Sequence, residues 1–267
     1  VEAELQLTDS DQQAVTDWQK SVVRAEGTGW SEHKGARARS LAKIAAVAKA
    51  QAELIKKIKG VTVNSETKIA NQKFQSEIIT TKASGILKGA RIIKEKAIGE
   101  NGYLVVMEVK FYGKDGIMKA IYPKLKEEVE NNQLARAGSD FGVDNIQSNE
   151  EKINNYTGIV INTGNLKVKP AIAPKIYAAN GELVYGLSKL NYAGVIKDSL
   201  VGYRPSLADA KSDEKVGDNP LVVTAQDVRG DFRTDLVLSN QDAKLVNRVG
   251  YKNNIFKHRR VIIVANK

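Results

Sequence analysis

Along the first third of the chain the hydrophobic positions change period several times, and each change marks an element. Ser21–Glu26 alternates around Val22, Arg24 and Glu26 as a half-buried strand does. Gly27 and Gly29 break the alternation and predict a tight strand-to-helix corner, with Ser31 placed to cap the helix that follows. Leu41, Ile44, Ala45, Ala48, Ala52, Ile55 and Ile58 then recur at three- and four-residue steps, the stripe of an amphipathic helix. Alanines at 36, 38, 42, 45, 46, 48, 50 and 52 raise helix propensity and permit close packing on a sheet. Lys59 and Gly60 suit its end, and Val61–Val63 reads as a second strand. Phe74–Ser84 predicts a further helix. Arg91–Ala97 and Tyr103–Tyr112 predict a hairpin about the turn Gly99–Gly102. The expectation is an α+β body, a mostly antiparallel sheet packed on a long Ala-rich helix.

The pattern then weakens. Lys119–Arg136 can form a helix if Pro123 occupies its first turn, and residues 137–155 have a Gly/Ser/Asp/Asn/Glu linker composition. Period-2 and compact apolar runs resume at Tyr156–Asn162. Lys175–Ala178 and Leu183–Tyr185 flank Asn180-Gly181, a strong hairpin signal. Val195–Tyr203, Leu221–Val228, Asp235–Leu238 and Arg260–Ala265 read as further strands, and short helices fit after Ser206 and Ser239. The predicted order is an N-terminal arm (1–20), an α+β domain (21–118), a helical or flexible linker (119–155) and a strand-rich α+β domain (156–267).

Charge sharpens this division. The net charge is +10, yet residues 1–19 carry five acids and no base. Residues 20–119 carry 20 Lys/Arg against 9 Asp/Glu, and residues 156–267 carry 17 against 10. An acidic arm beside basic bodies suits electrostatic pairing between copies, with Asp9, Asp11, Asp17 and the one large anchor Trp18 as candidate assembly residues. Lys56, Lys57 and Lys59, with Arg259 and Arg260, are the densest basic clusters and candidates for binding an anionic polymer. Neither cluster is interleaved with stacking aromatics, so nucleic acid is not the expected partner.

Catalytic motifs are sparse. The run Gly27-Thr-Gly-Trp would need a third glycine where Glu32 stands to resemble a dinucleotide fingerprint. His33 and His258 lie in different bodies without spaced partner ligands, and the chain has no cysteine, which excludes disulfides and thiol chemistry. No GxSxG, HExxH, SxxK or P-loop occurs. A non-enzyme with no catalytic, metal or cofactor residues is expected. No apolar run is long enough for a transmembrane helix. Val1 in place of Met and an acidic start without an apolar leader predict a mature, exported product.

The elements Gly27 and Gly29, then Ala38, Ala42, Ala45, Ala46 and Ala50 with Leu54 and Ile58, then Gly60-Val61, resemble the LPP-twenty type secreted lipoprotein domain. Gly89-Ala-Arg-Ile92 and Asn101-Gly-Tyr-Leu-Val-Val106 extend the similarity over residues 21–112. The resemblance implies a bacterial envelope protein of the periplasm, outer membrane or cell surface, similar to flagellar assembly protein T and flagellar protein P. It implies a structural role in rings, disks or filaments, homo-oligomerisation and no cofactor. The alternative expectation is a monomeric module binding lipopolysaccharide or peptidoglycan. The chain departs from the family in lacking an N-terminal Cys and in its large second body.

Overall fold

The computed structural model describes residues 16–65, 83–134, 153, 155–190 and 192–265. The chain divides into two units. Among described residues, the first takes 16–61, 83–111 and 115–120, and the second takes 62–65, 112–114 and those from 121 onward. Both are mixed α and β, the predicted class.

In the first unit, β1 (Thr16–Asp17) turns into β2 (Val22–Trp30), which is followed by α1 (Gly35–Lys59). After α2 (Ala83–Lys88) come β3 (Arg91–Ile98) and β4 (Gly102–Lys110). The sheet order is β1-β2-β4-β3, antiparallel throughout. The glycines do not make the expected corner. Gly27 and Gly29 lie inside β2, paired with Val105 and Tyr103, and the strand runs on to Trp30. Their role is contact. A Cβ at Gly27 would fall on the Ala46 carbonyl and the Ala50 amide of α1, and one at Gly29 on the Ala42 carbonyl. The helix backbone therefore rests directly on the strand, which only glycine permits.

That close approach selects the buried face. Ala38, Ala42, Ala46, Ala50, Leu54 and Ile58 are the buried residues of α1. This is an i, i+4 row of small side chains, the ridge that fits a shallow groove. The stripe drawn from the larger aliphatics is thus displaced: Leu41 and Ile44 are exposed, and Ile58 alone is shared. Ser31 does not cap α1, which starts after Lys34 without a side-chain cap. Instead the Ser31 amide donates to the Asn101 carbonyl (3.0 Å) and its carbonyl accepts from Asn101 Nδ2 (2.9 Å), pinning the turn between β3 and β4.

α3 (Ile117–Leu134) begins earlier than expected, so Pro123 sits in its second turn rather than its first. The helix expected at Phe74–Ser84 lies outside the described residues except for its last two positions. The strand expected at Val61–Val63 is absent from the first sheet. Its Thr62 and Val63 carbonyls accept from the Ile172 (3.1 Å) and Ala173 (2.7 Å) amides in the second unit, so no β-α-β forms.

The second unit contains two sheets. β5 (Gly158–Asn162), β8 (Gly202–Arg204), β9 (Pro220–Thr224) and β12 (Val261–Val264) form a wholly parallel sheet in the order β8-β12-β5-β9. β6 (Ile176–Ala178), β7 (Leu183–Tyr185), β10 (Asp227–Arg229) and β11 (Asp235–Leu238) form a mixed sheet in the order β10-β11-β6-β7. Central strands of a parallel sheet are covered on both faces. That is why β12 reads VIIV, with every residue buried. The β6–β7 hairpin turns at Asn180-Gly181 as expected, with Gly181 at φ 91°.

Two expected strands were misread. Val195–Tyr203 is α4 (Tyr192–Lys197) followed by β8, and Leu221–Val228 is divided between β9 and β10 in different sheets. The serine caps are as read. Ser206 Oγ accepts from the Asp209 amide (3.1 Å) at α5 (Leu207–Lys211). Ser239 Oγ accepts from the Asp242 amide (2.9 Å) at α6 (Asn240–Lys252). α7 (Ile255–His258) leads into β12.

Candidate assembly surface and charged clusters

Lys56, Lys57 and Lys59 share the last turn of α1, where cations complement the partial negative charge of a helix C-terminus. Lys56 pairs with Glu53 at 3.6 Å, and Lys57 and Lys59 are half-buried. Arg259 and Arg260 lie between α7 and β12. Arg259 takes a left-handed conformation (φ 55°) and donates from Nη1 to the Lys257 carbonyl (3.1 Å), with its Nε buried and unpartnered. Arg260 is exposed. The lysines belong to the first unit and the arginines to the second. Each cluster holds together locally for a structural reason of its own.

The assembly arm needs correction at its end. β1 pairs Thr16 with Val23 and Asp17 with Val22, and the Asp17 carboxylate lies 3.8 Å from Arg24, which also binds Glu108 at 2.8 Å. Trp18 packs on Phe111 with ring centroids 4.9 Å apart. Asp17 and Trp18 are therefore parts of a hairpin closed onto their own unit. Asp9 and Asp11 lie outside the described residues.

The second unit holds polar groups that sequence reasoning missed. Lys215 Nζ donates to Ser199 Oγ (3.0 Å), the Ser199 carbonyl (3.2 Å) and Asp198 Oδ2 (3.4 Å). A lysine beside a serine hydroxyl is one way to activate a nucleophile. Here burial lowers the Lys215 pKa while Asp198 opposes the shift, and three acceptors take the three ammonium protons. The arrangement ties a loop down.

Asp235 is buried. Its Oδ2 accepts from Ser65 Oγ (2.6 Å), and its Oδ1 accepts from the Lys175 amide (3.0 Å) and Thr234 Oγ1 (3.2 Å). Burial pushes this carboxyl above its usual range despite those donors. The Tyr203 hydroxyl donates to the Ala171 carbonyl (3.0 Å), and burial raises its phenol well above the ordinary value. No local motif announces these ties, because the partners are brought together only by the fold. Among the described residues no group of three or more His, Asp or Glu side chains is placed to hold a metal ion.

Of the large apolar side chains left exposed among the described residues, Val222 and Tyr251 lie on the second unit and the rest on the first. Trp30 (60% exposed), Leu41 (39%), Ile44 (66%), Ile92 (41%) and Ile93 (48%) are large apolar side chains open to solvent. Ile92 and Ile93 sit on β3, which ends its sheet among the described residues, and its register shifts between Ile92 and Lys94. A shallow groove there is lined by Lys43, Ile92, Ile93, Lys94 and Glu95. Lys43 bridges from α1 to Glu95 at 2.7 Å and stands 5.6 Å over the Tyr103 ring. An edge strand with apolar side chains is a ready template for pairing with further backbone.

Residues 158–267 match the family model of Treponema pallidum Tp0624, second domain. This stretch runs from β5 through β12 and the residues that follow it, and it is less than half of the chain. No curated protein matches the chain. Among the described residues no helix is long and apolar enough to cross a membrane.

Proposed function

We propose that this chain is a non-enzymatic structural protein, exported to the bacterial envelope or cell surface, that self-assembles into a ring, disk or filament. The observation carrying this reading is that β3 ends the first sheet among the described residues with Ile92 and Ile93 exposed, while Leu41 and Ile44 of α1 are exposed as well. A monomer gains nothing from leaving these side chains in water, whereas a neighbour that covers them gains their burial. The resemblance of residues 21–112 to the LPP-twenty domain supports an envelope location and a flagellum-associated assembly. The similarity of residues 158–267 to a Treponema pallidum domain is in keeping with a bacterial chain.

The alternative, a monomeric binder of anionic polymer, draws less from the geometry, since Lys56 is already paired and Lys57 and Lys59 are half-buried. Light scattering over a concentration series tests the proposal. Masses at multiples of 29.2 kDa are expected, with rings or filaments in electron micrographs. A mass that stays at 29.2 kDa at every concentration overturns it.

A further inference from the structure

We infer that the outward face of α1 docks in the plane of an anionic lipid bilayer, with Leu41 and Ile44 seated among the lipids and Lys34, Arg37 and Arg39 against the headgroups. This goes beyond the self-assembly reading and stands or falls apart from it, since Ile92 and Ile93 of β3 are left to a neighbouring copy.

The first observation is that α1 is apolar on two faces. Its inner row, Ala38 to Ile58 at four-residue steps, is buried. A helix that covers a core on one face is ordinarily polar on the other. Here Leu41, Ile44, Ala45, Ala48 and Ala52 are all exposed, and Ser40 and Lys49 are the polar positions exposed among them. Ile44 is 66% exposed and Leu41 39%. Arg37, Leu41, Ile44 and Ala48 recur at i, i+4, i+7 and i+11, which sets them along one side of the helix. The glycines of β2 claim the alanine row, so the side that carries the large aliphatics is turned outward.

The second is charge. Residues 31–52 carry five Lys/Arg against one acid, Glu32. Lys34, Arg37 and Arg39 are exposed at the start of α1, whose first turn holds no acid. Cations there run against the helix dipole, whose N-terminal end is already positive. An anionic surface reverses that cost. Lys43 is held by Glu95 at 2.7 Å, and Lys49 donates to Thr28 Oγ1 at 3.4 Å. The three N-terminal cations thus stand at the same end of α1 as Leu41 and Ile44.

Charge and shape together select the partner. In an antiparallel pair of α1 helices Arg37 and Arg39 would meet the lysines of the other copy's last turn, and in a parallel pair their own counterparts. A helix lying on a sheet presents a ridge rather than a pocket, so a folded partner finds no cavity for an anchoring side chain. A bilayer surface needs none. Its headgroup layer conforms to the ridge and takes up the aliphatics, and the long basic side chains reach the phosphates. Each lysine or arginine near an anionic leaflet adds attraction that salt screens. Among the described residues no helix can cross the bilayer, so α1 lies along it.

The absence of cysteine allows a clean test in the full chain. A polarity-sensitive dye is attached at Ala48→Cys, and in a control chain at exposed Lys244→Cys on α6. Each is mixed with vesicles of phosphatidylcholine and phosphatidylglycerol in equal parts, and with vesicles of phosphatidylcholine alone. Sedimentation with the mixed vesicles only is expected, with a blue shift of the dye at position 48 and none at 244. Leu41→Ser with Ile44→Ser, and separately Arg37→Glu with Arg39→Glu, should each weaken binding at least tenfold, while Ile93→Ser leaves it unchanged. Amide-exchange protection in α1 and β2 confirms that the substituted chains are folded.

A folded chain that does not sediment with the mixed vesicles overturns the inference. Undiminished binding by both pairs of substitutions puts the lipid on another surface and also overturns it. A shift at position 48 that grows with protein concentration without vesicles makes this face a contact between copies. A shift produced by a synthetic glutamate-rich amphipathic peptide, and not by vesicles, makes the partner an acidic protein helix. Either result overturns the bilayer as occupant. Oligomers that ignore vesicles leave self-assembly standing, whereas vesicle binding by a chain that stays at 29.2 kDa does the reverse.

Discussion

β3 and β12 are both aliphatic strands with Ile-Ile pairs, RIIKEKAI and VIIV, and they meet opposite fates. β12 lies between β8 and β5 with each residue buried, while among the described residues β3 ends its sheet with Ile92 and Ile93 partly exposed. The difference comes from how each unit builds its core. The second unit stacks aliphatic side chains: Val160, Val216, Ile262 and Val264 cluster with Ala210, and Leu207 packs against them. The first unit brings a helix backbone onto strand glycines and fills the contact with alanine. Dispersion between closely packed backbones replaces part of the burial that large side chains would provide. The larger aliphatics Leu41 and Ile44 of α1 and Ile92 and Ile93 of β3 are then left exposed. Basic residues beside them keep such an edge from pairing indiscriminately.

The comparison is broken most strongly at the glycine contact. Gly27→Val places a branched side chain in the backbone of α1 and should destabilise the first unit by more than about 3 kcal/mol. Amide exchange should show lost protection in β2 and α1 while β5 and β12 stay protected. Next in size, Ile262→Ala opens a cavity in the parallel sheet and should cost about 3 kcal/mol, read as earlier exchange of β12 and β5.

Smaller again is Ser65→Ala. It strips the 2.6 Å donor from buried Asp235 and should cost about 2 kcal/mol near neutral pH, measured by chemical denaturation. The same carboxyl has a pH signature. Its folded pKa stands above the usual 3.8, so the folded state holds the proton more tightly than the unfolded chain. This group's contribution to stability therefore falls as pH rises from 3.8 through the raised value. Asp235→Asn should remove that slope, seen as a difference between wild-type and variant melting midpoints across the window. An unchanged slope would reject the assignment.

Least of all, Ile93→Ser should change stability by no more than about 1 kcal/mol, because about half of the residue is already in water. A loss near that of Ile262→Ala would show β3 to be core, and the contrast would collapse.

Legibility followed locality. The Ser206 and Ser239 caps, the Asn180-Gly181 turn and the Gly99–Gly102 hairpin were readable because each depends on neighbours a few residues apart. The Ala-rich helix was readable as a helix. Its buried face was not, since hydrophobic size points to Leu41 and Ile44 while the strand glycines demand small residues. Thr62 and Val63 looked like the closing strand of a β-α-β, but their hydrogen-bond partners lie more than a hundred residues on. Of the candidate site residues, Lys56, Lys57 and Lys59 lie in the last turn of α1, and Arg259 and Arg260 lie between α7 and β12. Asp17 and Trp18 are instead held by Arg24 and Phe111, partners that periodicity does not reveal. Lys215 with Ser199, and Asp235 with Ser65, left no signal because each pair is assembled from distant segments.

By itself the sequence determined the α+β class, the positions of most helices and turns, and the charge contrast between the first nineteen residues and the body that follows. These depend on short-range sterics, capping and composition. Tertiary structure decided which face of α1 is buried, that one sheet is parallel, and that β3 is an edge while β12 is a centre. Those outcomes depend on which distant backbone fills a groove or completes a ladder, and a local pattern of apolar residues is compatible with either.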